Sequence, residues 1–267
     1  MKVVLFCGGL GMRLRGYSEV VPKPMVNVGN RPILWHIMKY YAHFGHKEFI
    51  LCLGWQAEVI KDFFVKYNET VSNNFVLSKG GKNIDLLSSD IEDWKITFVD
   101  TGMSASIAQR MRRVESYLDD DETFMANYAD GVCDVDLNEL VDFHQRNDAI
   151  GSFVTVRPSS SFHVVDSDMD GRVQQIEEVR ETNTWMNGGF FIFDRSVFNY
   201  IQDGEELVDQ PFTRLMDENR LFALKYPGFW SCMDTYKEKQ ALDEMFVTGK
   251  APWMIWNQPE RPAEIHS

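Results

Sequence analysis

The sequence contains no apolar run approaching the roughly 18 residues that a membrane-spanning helix needs. It also lacks an excess of basic residues, because 27 Lys and Arg face 40 Asp and Glu and give a formal net charge of −13. A broad basic surface for nucleic acid is therefore not expected, although this balance is compatible with a local basic pocket. The apolar run at residues 3–6 is too short for a signal peptide and leads into glycines. We predict a cytoplasmic protein with neither a membrane nor a nucleic-acid partner.

Cysteine is scarce, with four residues and no C-x-x-C pair. Cys7, Cys52, Cys133 and Cys232 lie in apolar or turn contexts, which favours reduced, unpaired thiols in the cytosol. The six histidines show no metal-ligand spacing such as H-E-x-x-H, so a structural zinc site is not expected. Collagen-like, low-complexity and disordered classes are excluded because 44% of the residues are hydrophobic and 25% are charged.

Apolar runs and helical periodicities alternate through about the first 150 residues. Strands are predicted at residues 3–6, 49–53, 96–99 and 124–128, and helices from residues 33, 59, 107 and 137. This alternation predicts a Rossmann-like, doubly wound α/β fold with a mixed, mostly parallel sheet. Ligands bind at the carboxyl edge of such a sheet, so the loops at residues 8–23 and 129–136 are expected to meet there.

The pattern changes after residue 150 and favours a smaller antiparallel addition to the sheet. The predicted features are a turn at residues 168–171, strands at residues 188–193 and 225–230, and a helix from about Thr235. No linker-like stretch separates the two parts. We therefore predict one domain over residues 1–267, with a first part at about 1–150 and a second part at about 151–267.

A glycine-rich turn follows the first predicted strand, with G-G-L-G-M-R at residues 8–13 and P-K-P at residues 22–24. Glycines let the backbone approach an anion and point N–H groups at it, and Arg13 and Lys23 add two cations nearby. The alternative is a tight turn with two solvated cations. No G-K-[S/T] follows, so the turn is not a Walker A loop. The turn also lacks the third glycine of the dinucleotide-binding fingerprint, and this absence argues against an NAD-dependent oxidoreductase.

Two carboxylates follow apolar segments and are candidate metal ligands. Asp130 comes directly after a predicted buried strand, where it could bind Mg²⁺ together with phosphate oxygens, or simply form an Asp-Gly turn. Asp234 could be a second metal ligand or the cap of the next helix, and the sequence does not separate these roles. Asp136 is more simply the N-cap of the helix that follows it.

Together these residues resemble the signature of the sugar-phosphate nucleotidyltransferases. The motif G-G-L-G-x-R-L followed by P-K-P-M carries the resemblance to the family. Later segments resemble its glucose-1-phosphate cytidylyltransferase branch, and the resemblance covers nearly the whole chain. These segments are residues 32–38, 99–102, 187–191, 227–230, 233–235 and 249–253.

The resemblance implies a glycosyltransferase-A-like fold and a Mg²⁺-dependent enzyme, and it makes a homo-oligomer plausible. It also implies that the part at about 1–150 binds the nucleotide and that the part at about 151–267 binds the sugar. The implied reaction joins CTP and glucose 1-phosphate to give CDP-glucose and pyrophosphate. The implied residues are Arg13 and Lys23 for catalysis, Cys7, Gly8, Gly9, Gly11, Met12, Arg110 and Tyr128 for the nucleotide, Glu178, Arg180, Asn187 and Gly188 for the sugar phosphate, and Asp130 and Asp234 for the metal.

The sequence departs from the family pattern in four places where substrate contact is expected. Met12 replaces a usual threonine, Ala129 a usual glycine, and residues 107–110 read I-A-Q-R instead of T-G-G-R. Val179 and Arg180 follow Glu178, where the family usually has Lys-Pro. If Arg180 replaces that lysine, the geometry of the contact changes, because a guanidinium is longer and flatter than an ammonium. Three interpretations follow: drift within one activity, a changed sugar phosphate or base, or a sugar-nucleotide-binding protein without catalysis.

Overall fold

The computed structural model describes residues 1–9, 21–158 and 162–257. The strands are β1 (Val3–Phe6), β2 (Asn27–Val28), β3 (Arg31–Pro32), β4 (Glu48–Leu53), β5 (Phe75–Ser78), β6 (Asn83–Leu86), β7 (Lys95–Asp100), β8 (Thr123–Tyr128), β9 (Gly131–Cys133), β10 (Gly151–Val156), β11 (His163–Ser167), β12 (Val173–Glu178), β13 (Met186–Asn187), β14 (Phe191–Asp194), β15 (Leu221–Tyr226) and β16 (Trp230–Cys232). The helices are α1 (Ile33–His43), α2 (Ala57–Val65), α3 (Ile107–Val114), α4 (Leu137–Arg146), α5 (Gln210–Asp217) and α6 (Tyr236–Val247).

Eight strands form a central mixed sheet, counted over the described ranges. β8, β1, β4 and β7 lie side by side and are parallel. β14 continues the sheet antiparallel to β8 and pairs with β10. β10 carries β15 along one edge, while β13 and β14 share its other edge. The predicted Rossmann-like α/β fold with a mixed sheet and an antiparallel addition is confirmed.

The sheet is covered on both faces, and β1 shows why its sequence is continuously apolar. Val3 and Leu5 pack into one core together with α1, whereas Val4 and Phe6 pack into a second core with α3. All four side chains are buried. A parallel strand that is covered on both sides has no solvent face on which polar residues could alternate.

The strand predicted at residues 188–193 is wrong in its start, because the strand β14 begins only at Phe191. Gly189 and Phe190 have positive φ angles of 77° and 53°, so β13 ends before them and β14 begins after them. The side chain of Asn127 stabilises this turn by accepting a hydrogen bond from Phe190 N at 3.0 Å. A Cβ atom at position 189 would lie 2.5 Å from Asn127 Oδ1, so only glycine fits there.

The strand predicted at residues 225–230 is also wrong, because it comprises the ends of two strands that belong to different sheets. β15 ends at Tyr226 and lies in the central sheet, and β16 begins at Trp230 and pairs with β9. Between them Pro227 lacks the amide hydrogen that a central strand donates. A Cβ atom at Gly228 would lie 2.3 Å from the Tyr226 ring, so the chain turns closely here.

Two hairpins lie outside the central sheet, besides the shorter β2–β3 pair. β11 and β12 flank the turn predicted at residues 168–171. β5 and β6 form a hairpin in a segment for which the sequence predicted no strands. One face of this second hairpin is apolar although its side chains are 39–59% exposed: Phe75, Leu77, Ile84 and Leu86.

The cysteines agree with the prediction of unpaired thiols. The four thiols form no disulfide, and three of them, Cys7, Cys52 and Cys133, are buried. In the ranges that the structure describes, no helix is both long and apolar enough to cross a membrane.

Candidate active site

The short ladder between β9 and β16 brings the two candidate carboxylates together. Gly131 pairs with Cys232, and Met233 N donates to Asp130 O at 2.9 Å. Asp130 precedes the first strand of this ladder and Asp234 follows the second, so both reach the carboxyl edge of the central sheet near the end of β8. The strand pairing therefore places side chains that are distant in sequence beside each other.

Lys23 lies between these two carboxylates. Its Nζ donates to Asp130 Oδ2 at 2.6 Å and also to Asp234 Oδ1. The lysine side chain is 12% exposed, and the two carboxylates are 32% and 34% exposed. Burial alone lowers the pKa of Lys23, but the two carboxylates outweigh this effect and the net pKa is raised. Lys23 is therefore a charged, largely buried ammonium, contrary to the alternative of a solvated loop cation.

The alternative role of Asp234 as a helix cap is not what the structure shows. Thr235 is the N-cap of α6, and its side chain accepts from Glu238 N. Glu238 Oε2 accepts in return from Thr235 N at 2.7 Å and from Asp234 N at 2.8 Å. The capping box thus fixes the backbone of Asp234 while its carboxylate faces Lys23. Asp136 does cap α4 as predicted, accepting from Asn138 N at 2.8 Å.

A cavity of about 470 Å³ opens beside this cluster. One group of lining residues is Lys23 with the two carboxylates. A second group comprises residues 103–107, just before and at the start of α3, together with Glu206. Cys7, Gly9 and Tyr128 also line the cavity. The loops that follow β1 and β8 therefore meet at one edge of the sheet, as predicted.

Arg110 fixes the loops that form the floor of this cavity. Its guanidinium donates to Leu53 O at 3.2 Å, to Thr101 Oγ1 at 2.7 Å and to Gly8 O at 3.0 Å. It also reaches Met103 O at 3.4 Å. The residue is 3% exposed, and burial lowers the pKa of its guanidinium below the usual value. Arg110 thus ties together the loops after β1, β4 and β7, whereas the direct nucleotide contact stays a prediction.

Replacing Arg110 by alanine is expected to lower the free energy of unfolding by about 3 kcal/mol or more. The change strands several buried acceptors that now receive charge-assisted hydrogen bonds. Urea denaturation of the purified variant measures this loss. Arg146→Ala, at the exposed end of α4, is the matched control and should remain within about 0.5 kcal/mol of the parent. A variant of Arg110 as stable as this control would contradict the assigned role.

Of the two described glycines after β1, Gly8 is required by its neighbour, whereas a Cβ atom at Gly9 would have nothing within 4 Å. A Cβ atom at Gly8 would lie 1.9 Å from the guanidinium of Arg110, so any side chain there would displace it. Cys7 is buried, and burial raises the pKa of its thiol well above the ordinary value, which leaves a neutral side chain. Gly11, Met12 and Arg13 lie outside the described residues, so their predicted roles stay predictions.

The residues predicted to bind the sugar phosphate fall into two sets. Asn187 Nδ2 donates to Tyr128 OH at 3.5 Å, so Asn187 contacts a residue of the cavity wall, although neither Asn187 nor Gly188 is among the described lining residues. Gly188 O accepts from Trp230 Nε1 at 2.8 Å. Glu178 and Arg180 form an ion pair at the end of the exposed β11–β12 hairpin. They too are not among the described residues that line the cavity, and their predicted contact with the sugar phosphate stays a prediction.

Glu206 is a charged lining residue that the sequence analysis did not select. It lies in the segment before α5, and its Oε1 accepts from Ile107 N at 3.1 Å and from Leu207 N at 3.0 Å. It belongs to no motif that marks a site, and its proximity to α3 depends on tertiary packing. Glu206 is recognised as a cavity residue only from the structure, in which its carboxylate accepts a hydrogen bond from Ile107 N.

Comparison with known proteins identifies the class of enzyme to which this fold and this site belong. A family model described as nucleotidyl transferase matches residues 2–230, and this enzyme belongs to that family. Glucose-1-phosphate cytidylyltransferases from Salmonella typhi and Salmonella typhimurium are each 37% identical to it over 258 residues, 96% of this chain and 100% of theirs. A UDP-glucose pyrophosphorylase structure has a TM-score of 0.67 at 14% identity, covers 93% of this chain and 98% of its own, and supports the fold alone. The family resemblance and the fold predicted from the sequence are confirmed.

Proposed function

We propose that this enzyme transfers a cytidylyl group from CTP to glucose 1-phosphate and releases pyrophosphate. The observation that carries the proposal is the convergence of Lys23, Asp130 and Asp234 beside one cavity at the carboxyl edge of the sheet. The full-length similarity to glucose-1-phosphate cytidylyltransferases supports CTP and glucose 1-phosphate as the substrates.

The reaction needs positioning more than it needs a general base. A phosphate oxygen of glucose 1-phosphate is already anionic and attacks the α-phosphorus of CTP. A new oxygen–phosphorus bond forms, the bond from the α-phosphorus to the bridging oxygen breaks, and pyrophosphate leaves with that electron pair. The obstacles are repulsion between two polyanions and the charge that grows on the leaving group. Cations fixed beside the phosphates reduce both.

The pair of aspartates fits the Mg²⁺ that the sequence predicted. Both carboxylates already contact one cationic centre, the ammonium of Lys23, so they can approach a single metal ion. Mg²⁺ prefers one or two carboxylates with phosphate oxygens and water. The described residues contain no group of three metal-ligating side chains, which suits a site completed by the substrate. A bound Mg²⁺ would neutralise charge on the phosphates, and Lys23 would be released to donate to a phosphate oxygen.

Two further parts of the proposal are a cytoplasmic location and a homo-oligomer. The buried, unpaired thiols support the first. The apolar face of the β5–β6 hairpin supports the second, because pairing with another copy would remove it from water. Lys79 and Lys82 lie at the tip of this hairpin, where they would complement the acidic surface of a chain whose net charge is −13.

The test is pyrophosphate release from a panel of nucleoside triphosphates and sugar 1-phosphates with Mg²⁺. We expect the highest kcat/KM for the combination of CTP and glucose 1-phosphate. Preference for another pair would preserve the class of reaction and overturn the assigned substrates. Binding of a nucleotide sugar without release from any pair would favour the non-catalytic alternative and overturn the proposal.

A further inference from the structure

Glu206 is held in a fixed orientation at the wall of the cavity. Its Oε1 accepts two backbone hydrogen bonds, from Ile107 N at 3.1 Å and from Leu207 N at 3.0 Å. The side chain is half-buried, and within the described part of the chain Oε2 has no protein donor. A carboxylate that is anchored by one oxygen presents the other oxygen to whatever enters the cavity.

The surroundings of Glu206 do not suit a phosphate group. The described cations that line the cavity are Lys23, which lies between the two aspartates, and Arg110, whose guanidinium donates to backbone carbonyls. The wall near Glu206 combines apolar side chains with two serine hydroxyls in residues 103–107. A carboxylate beside such a wall would repel a triphosphate, whereas a flat heterocycle with hydrogen-bond donors would fit. This part of the cavity is therefore the place for the nucleobase.

Tyr128 and Glu206 line the same cavity from different parts of the chain. Tyr128 is the last residue of β8, whereas Glu206 is held by its hydrogen bond from Ile107 N at the start of α3. Glu206 therefore faces the space that also lies against the end of β8.

We propose that Glu206 determines which pyrimidine nucleotide the enzyme accepts. Its Oε2 accepts a hydrogen bond from the exocyclic N4 amine of cytosine, the contact that carboxylates make with this base. Uracil and thymine carry a carbonyl oxygen at the same position. A carboxylate can only accept hydrogen bonds, so it repels this oxygen and leaves both groups without a donor. The inference rests on the proposed function, because it requires a nucleoside triphosphate in this cavity.

The test compares Glu206→Gln with the parent enzyme. The glutamine can keep a carbonyl oxygen on Ile107 N and Leu207 N while its amide nitrogen replaces Oε2 and donates to O4 of uracil. The ratio of kcat/KM for CTP to that for UTP is expected to fall by about 5- to 150-fold, as for one base-edge contact. Asp203→Asn, an exposed carboxylate in the same loop, is the matched control and should leave this ratio unchanged.

A second measurement uses the unaltered enzyme, so it does not depend on the folding of a variant. A CTP analogue that lacks the 4-amino group should lose kcat/KM by a similar factor relative to CTP. Equal use of CTP and this analogue, or an unchanged CTP-to-UTP ratio in a folded Glu206→Gln variant, would overturn the role of Glu206. An unaltered enzyme that turns over CTP in that experiment still has its proposed function. Absence of turnover with every triphosphate would instead reject the function itself.

Discussion

Replacing Lys23 by alanine is expected to lower kcat for pyrophosphate release by about 100- to 1000-fold. The ammonium is held at the cavity between the two carboxylates, where a cation can counter charge that grows on the phosphates. Steady-state pyrophosphate release at saturating Mg²⁺ measures the effect. Lys61→Ala, an exposed lysine on α2, is the matched control and should retain full activity.

The same variant should also respond to Mg²⁺ in its stability. Without the ammonium, Asp130 and Asp234 lose the cation that lies between them, and we expect a cost of about 1–3 kcal/mol, since the two carboxylates are partly solvated. Mg²⁺ can take the vacated position, so thermal unfolding of Lys23→Ala should shift upward with Mg²⁺ more than that of the parent. Near-parental activity, or a melting temperature that Mg²⁺ leaves unchanged, would argue against a shared cation position.

Asp130→Asn is expected to have an effect of similar size, about 100- to 1000-fold in kcat. Asparagine has the shape of aspartate but removes the charge that would hold Mg²⁺ and that now pairs with Lys23. When pyrophosphate release is measured over a range of Mg²⁺ concentrations, its rate should depend less on Mg²⁺ in the variant than in the parent. Asp142→Asn, on the exposed side of α4, is the control and should behave as the parent does.

A double variant tests whether the two carboxylates act as one site. If Asp130 and Asp234 hold one ion, replacing both by asparagine should cost little more than replacing either one, because residues that act as a unit are not additive. Losses that multiply would indicate two separate roles. Full activity in both single variants would contradict the proposed metal pair.

The parallel part of the fold was predictable because its physical signals are local. β1 is apolar at every position because it is covered on both faces, and α4 begins at an aspartate that caps it. The errors arise where distant residues decide the backbone. Asn127 interrupts the strand after Asn187, and the divergence of β15 and β16 depends on separate pairing partners, β10 and β9.

The site was predictable in its residue types and not in its contacts. Lys23, Asp130 and Asp234 follow from motif position, but their meeting depends on the register of β9 and β16. Arg110 lines the cavity, and its predicted contact with the nucleotide stays a prediction, whereas its hydrogen bonds to the loop carbonyls could be found only from coordinates. Glu206 has no motif, so no sequence pattern could separate it from other acidic residues.

The β9–β16 ladder also has a consequence for how the enzyme is made. Asp130 and the parallel strands belong to the part of the chain that is synthesised first, whereas β16 and Asp234 come near the end. A nascent chain that stops short of residue 234 can form much of the sheet but has only half of the carboxylate pair. Competence for nucleotide chemistry should therefore arise late in translation, and prematurely terminated products should be inert.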